Sequence, residues 1–127
     1  MPYRATYNKY RNKKIEFDGH TFDSRKEYER YLLLKALERN GDITDLECQK
    51  KFILIPVQRA PDTLNSRGKR IQGKVLEREC AYYADFVYYD VKKARFVVED
   101  AKGMRTEVYK IKKKLMLWVH HIHIKEV

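Results

Sequence analysis

A chain of 127 residues, 43% apolar and 36% charged, supports one compact domain over residues 1–127 and leaves no room for a second core. No apolar run approaches the roughly 20 residues of a membrane span, and Cys48 and Cys80 lack metal-ligand spacing, reading as reduced thiols of an intracellular protein. Lys and Arg number 28 against 18 Asp and Glu, and a net charge of +10 on so small a domain points to an anionic partner, nucleic acid first and no membrane.

Residues 1–14 interleave tyrosines with cations, among them Lys13 and Lys14, as suits a nucleic-acid-contacting arm; a frayed solubilising arm has the same composition. No apolar stretch follows the basic residues of MPYRATYNKYRNKK, so no secretory signal is read there and a cytoplasmic setting is expected. A short strand at 15–17 turns at Asp18-Gly19. Ser24 and Glu27 then fit a capping box that opens a helix to Arg39, with Tyr28, Tyr31, Leu32, Leu34 and Leu37 as its apolar stripe and Asn40-Gly41 as its stop.

Residues 46–55, LECQKKFILI, are rich in strand formers and stop at Pro56. Residues 59–73, RAPDTLNSRGKRIQG, read as a long flexible loop whose Arg67, Lys69 and Arg70 suit DNA contact. Strands are expected at 75–90 and 95–102, and a helix at 107–117. Its Val108, Ile111, Leu115 and Trp118 fall on one face, while Lys110, Lys113 and Lys114 cluster on another, as DNA-backbone contacts or a solvated face. The tail, 120–127, reads as a last short strand. The order αβββαβ predicts an α/β (α+β) domain with a mixed central sheet flanked by helices.

The chemistry concentrates in YYADFVYYDVKKARFVVEDAKG, residues 82–103. Alternate residues of a strand share a face, so a turn at Lys92-Lys93 sets Tyr89 against Phe96, Val87 against Val98, Asp85 against Asp100 and Tyr83 against Lys102. Two aspartates opposed with Cβ atoms roughly 5 Å apart repel each other, and a bound divalent cation relieves that; carboxylate oxygens suit Mg²⁺. Lys102, one pleat along, can hold a water against a phosphate. An amphipathic hairpin with its charges in solvent fits the same spacing, and a slip of one residue would put Glu99 in place of Asp100. His120, His121 and His123 read as structural, since neighbours in a strand diverge and zinc needs convergent ligands. Glu77 and Glu79 share the parity of Asp85 and either extend the acidic cluster or mark an edge strand.

These residues resemble the PD-(D/E)XK nuclease superfamily, whose signature is an acidic residue on one strand and (D/E)-x-K on the next, matched here by Asp85 and Asp100-Ala101-Lys102. The ordered run from FDSRKEYERYLLLKALERNGDITDLECQKKF through YYADFVYY to VVEDAKGMRTEVYKIKKKLM is similar to a family of small phage-encoded endonucleases in that superfamily and spans 22–116. The resemblance implies a restriction-endonuclease-like core. It makes Asp85 and Asp100 ligands of Mg²⁺ or Mn²⁺, joined by the backbone carbonyl of Ala101, with Lys102 positioning the attacking water. Glu27 would be the helical acidic residue touching the metal or its water, although a capping box accounts for it without chemistry. Gln49 is a candidate polar site residue on the first core strand. Ala84 stands where the signature carries proline, a departure at its loosest position.

The function so implied is hydrolysis of DNA phosphodiesters, structure-selective for branched DNA or Holliday junctions, in phage recombination or replication inside a bacterial host. Symmetric cutting of a junction would call for a homodimer. The alternative from another class is a non-catalytic DNA- or RNA-binding module on the same fold.

Overall fold

The computed structural model describes residues 13–101 and 105–127; the tyrosine-rich run before Lys13, and Lys102 with its two successors, lie outside them. In chain order the described elements are β1 (Ile15–Phe17), β2 (His20–Phe22), α1 (Arg25–Arg39), β3 (Ile43–Ile55), β4 (Gln58–Arg59), β5 (Thr63–Leu64), β6 (Arg70–Ile71), β7 (Val75–Glu77), β8 (Cys80–Asp90), β9 (Arg95–Asp100), α2 (Glu107–His120) and β10 (Lys125–Glu126). None of their helices is long and apolar enough to cross a membrane.

The central sheet runs β10-β9-β8-β3, with β8 antiparallel to both neighbours and β10 parallel to β9. It is therefore mixed, and the order α1-β3-β8-β9-α2-β10 is the αβββαβ order expected from the sequence. Short local hairpins are added to it. Ser24 caps α1 by accepting the Glu27 backbone N–H at 3.2 Å, and Gly41, at φ 80, closes its far end by donating to the Glu38 carbonyl.

The β8–β9 hairpin has the expected register, Val87↔Val98 and Tyr89↔Phe96. Its turn differs. Lys92-Lys93 lacks the glycine or asparagine of a two-residue turn, so residues 91–94 form the connection, with Asp90 Oδ1 accepting the Lys93 N–H at 3.0 Å and Ala94 taking the left-handed conformation.

Four further expectations are corrected. The first core strand starts earlier, at Ile43, bulging at Asp45 (φ 57). The strand expected over 75–90 breaks into β7 and β8. Residues 59–73 are an ordered antiparallel ribbon rather than a flexible loop, because cross-strand pairing organises turn formers that propensity alone reads as loop. In α2 the buried residues are Tyr109 and Met116, while Val108, Ile111 and Trp118 are exposed. The apolar stripe read from the sequence lies about a third of a turn away from the face that meets the sheet.

Two clusters sandwich the sheet. Phe22, Tyr31, Leu34, Ile43, Phe86 and Tyr88 form one, built on α1; Leu54, Tyr82, Ala84, Val87, Val98, Tyr109, Met116 and Ile124 form the other, built on α2. Tyr82 and Ala84 belong to the α2 cluster but Phe86 and Tyr88 to the α1 cluster, so the alternation of β8 changes sides at Asp85. Gln49, its neighbour on β3 between the pairs Cys48↔Phe86 and Lys50↔Ala84, stands at φ 54. A left-handed residue other than glycine costs about 1–2 kcal/mol, and such outliers gather at functional sites.

Candidate active site

Glu27 enters the site because the Ser24 cap places it in the first turn of α1, where it is 4% exposed. Its carboxylate accepts the Gln49 side-chain amide at Oε1, 3.1 Å away, and the backbone N–H of Asp23. The same Gln49 Nε2 donates to Asp85 Oδ1 at 3.1 Å. Asp85 Oδ2 accepts the backbone N–H of Ala101 at 2.8 Å. One amide thus spans two carboxylates, and the second carboxylate is tied to the residue that follows Asp100. The two hydrogen bonds made by Gln49 offset the strain of its backbone.

Asp100 is buried, and its Oδ2 accepts the Tyr82 hydroxyl. Burial, then Asp100, drives the Tyr82 phenol far above its ordinary range; Tyr109 moves the same way, for burial first and Asp100 next, with Asp85 adding to both. Both phenols therefore stay protonated beside the two aspartates. Glu27 is pushed up to about 7, first by burial, then by the charges of Asp85 and Asp23, against the opposing hydrogen bonds from Asp23 and Gln49. Carboxylates crowded in this way favour a shared proton or a cation between them.

The donor set suits a hard divalent cation. Asp85, Asp100 and the Ala101 carbonyl offer oxygen alone, and Mg²⁺ takes one or two carboxylates while keeping several waters. Among the described residues no group of three or more His, Cys, Asp or Glu is placed to hold a metal, a number Mg²⁺ does not require.

The structure therefore brings Glu27, Gln49, Asp85, Asp100 and Ala101 together, whereas Lys102 lies outside the described residues. Glu99, adjacent to Asp100, points to the α1 side and is fully buried against Arg30 and the Tyr88 hydroxyl. Among the candidate cations, Lys13, Lys14, Arg67, Lys69 and Lys114 are exposed. Arg70 pairs with Asp62, Lys110 with Glu107 and Lys113 with Glu126. Glu79 pairs with Lys51, and Glu77 lies on β7 opposite Gln58, so neither extends the acidic cluster. His120 bonds the Ile53 carbonyl at 2.7 Å and His121 ends α2 in the left-handed conformation, both structural roles.

Sequence reasoning missed Tyr82 and Arg30. In a strand of unbroken alternation Tyr82 belongs to the face away from Asp85, and nothing local marks the change of sides. Arg30 was one cation among many.

A family model described as a protein of unknown function (DUF1064) matches residues 7–126. No curated protein and no solved structure matches the chain.

Proposed function

This chain belongs to the DUF1064 family, and we propose that it is a metal-dependent DNA endonuclease that hydrolyses phosphodiester bonds. One observation carries the reading: the Gln49 amide joins the Glu27 and Asp85 carboxylates at 3.1 Å each, while Asp85 holds the backbone beside Asp100. Two carboxylates bridged by one amide, with Asp85 tied to the residue after Asp100, serve poorly as a passive binding surface on a chain of net charge +10, since they repel a phosphate backbone. They serve well as the anchor of a divalent cation facing one.

In this reading Asp85, Asp100 and the Ala101 carbonyl hold Mg²⁺ or Mn²⁺. Bound there, the ion supplies Lewis acidity and a more acidic water. Glu27 accepts the proton of the attacking water, and Gln49 fixes its carboxylate relative to Asp85. Tyr82 holds one oxygen of Asp100 and so sets the rotamer of that carboxylate. Lys102 orients the water and meets the charge that develops on the phosphate. The substrate is branched DNA or a Holliday junction, cut by a homodimer of a phage- or prophage-encoded enzyme in the cytoplasm of a bacterial host.

The test is incubation with supercoiled plasmid and with a four-way junction in Mg²⁺, Mn²⁺ or EDTA, alongside Asp100→Ala. Cutting that needs metal and disappears in the variant supports the enzyme. Binding without cutting under every metal leaves the non-catalytic module. Equal rates on the junction and on linear duplex remove the junction preference.

A further inference from the structure

Between β3 and β8 the chain leaves the core as an antiparallel ribbon. Past Ile55, β4 pairs with β7, and beyond them β5 pairs with β6. From Ile55 to Glu79 every residue is exposed except the half-buried Ala60 and Asn65 and the buried Gly73, and none joins either core cluster. An isolated two-stranded ribbon is only marginally stable, yet this one is braced.

Gly73 lies so close to Ala60 that a Cβ on it would stand 1.7 Å from the Ala60 carbonyl oxygen. Asp62 receives the Gly73 N–H at 2.8 Å on one oxygen and the Arg70 guanidinium on the other, while Arg59 bonds the Gly73 carbonyl at 3.0 Å. At the tip, Asn65 Oδ1 takes the N–H groups of both Arg67 and Lys69 at 2.9 Å, and Gly68, at φ 77, allows the reversal. Asp62 occupies Arg70, but none of the ion pairs among the described residues engages Arg67 or Lys69. The ribbon thus holds two cations on a hydrogen-bonded turn, away from both core clusters.

We propose that this ribbon is a duplex-DNA docking arm that lies in a groove, its tip seating Arg67 and Lys69 against the phosphates at the groove's edge. A two-stranded ribbon fits the major groove, and with the backbone of the tip already fixed by Asn65 only the two side chains have to be ordered on binding. The ribbon continues the two strands that carry Gln49 and Asp85, so it registers the site on the duplex. The chain between Lys69 and Asp85 spans at most about 55 Å, roughly 16 base pairs at about 3.4 Å each. The inference rests on the reading of the chain as a DNA-binding protein and does not require that it cut.

The test is binding of a fluorescent duplex in EDTA as a function of salt, with the oligomeric state followed by light scattering. The Arg67→Ala/Lys69→Ala variant is expected to lose roughly tenfold in affinity and to lower the salt slope by about 2, close to one for each phosphate contact. Lys92→Ala/Lys93→Ala, which removes the same charge at the β8–β9 turn, is expected to change affinity by less than about twofold. Gly73→Ala keeps every charge but breaks the brace, and its affinity is expected to fall with the tip variant. Equal losses in the two double variants would reduce the effect to net charge and overturn the proposal, as would unchanged binding in the tip variant. A tip variant that alters oligomeric state and leaves affinity intact would assign the ribbon to a protein interface instead. Cutting abolished in Asp100→Ala with the binding pattern intact, or no cutting at all with the same pattern, separates this inference from the catalytic one.

Discussion

Arg30 closes on Glu99 through two parallel bonds, Nε to Oε1 at 2.8 Å and Nη2 to Oε2 at 2.7 Å, and Glu99 is wholly removed from water. The pair joins α1 to β9 at the residue before Asp100, and the Tyr88 hydroxyl completes the shell of the carboxylate. Removing one partner leaves a buried charge without compensation, which costs about 3–5 kcal/mol. Arg30→Met is therefore expected to unfold well below the parent in a urea titration. Arg30→Met combined with Glu99→Leu is expected to recover part of that loss, because the isolated charge goes with it while the buried Tyr88 hydroxyl loses its acceptor. A double variant no more stable than Arg30→Met alone would show that shape, rather than charge, governs the contact.

Glu27 makes the stability of the metal-free fold depend on pH. Its carboxyl rises from the usual 4.5 to about 7 on folding, so the folded chain keeps a proton that the unfolded chain has released. Stability is then full below the unfolded value and falls as pH climbs through the window between 4.5 and about 7. The loss reaches about 3 kcal/mol once both states are ionised. Glu27→Gln carries no proton to release and can still accept the Gln49 amide, so in EDTA at about pH 8 it is expected to be more stable than the parent by up to that amount. Near the unfolded value the two should converge. A constant difference across the range would mean that the effect is not one of ionisation.

How much of this was legible in the sequence follows from which residues carry local information. The β8–β9 register was readable because Val87 with Val98 and Tyr89 with Phe96 match only in one alignment, and a slip would turn every side chain over. The Ser24 cap was readable because it satisfies a backbone donor three residues away. The change of sides at Asp85 was not, since it depends on Gln49 in another strand adopting a left-handed backbone. The reach of Gln49 to two carboxylates, the nearest thing to a signature in the site, is a contact between residues 22 and 36 positions apart. The ribbon was hidden for a related reason: Pro61, Asn65 and Gly68 announce turns, and only pairing across them shows strands.

A cation held by Asp85 and Asp100 should oppose the penalty that the Asp85 charge imposes on Glu27. Mg²⁺ or Mn²⁺ at about tenfold excess over its Kd is expected to raise unfolding stability by about 1.4 kcal/mol. Followed by thermal unfolding, the shift should vanish in Asp85→Asn and in Asp100→Asn, while Ca²⁺, also an oxygen-seeking ion, should reproduce part of it in the parent. Equal shifts in parent and variants would move the ion elsewhere on the molecule and remove the metal from the site.

The apolar side chains of α2 offer the sharpest contrast between pattern and burial. Val108, Ile111, Leu115 and Trp118 recur at helical spacing, yet Trp118 is 79% exposed while Met116, two positions earlier, is fully buried among Leu54, Ala84 and Tyr109. Helical spacing locates an apolar stripe but not the neighbour that will cover it, and here Tyr109 and Met116 face the sheet. Met116→Ala is expected to cost about 2–5 kcal/mol through lost transfer energy and the cavity left behind. Trp118→Ser is expected to change stability by no more than about 0.5 kcal/mol. Trp118 is the sole tryptophan, so its emission should already lie at the red, water-exposed limit in the folded protein, open to acrylamide and nearly unmoved by urea. Blue-shifted emission with protection from the quencher, or a costly Trp118→Ser, would restore the stripe to the core and displace Met116 from it.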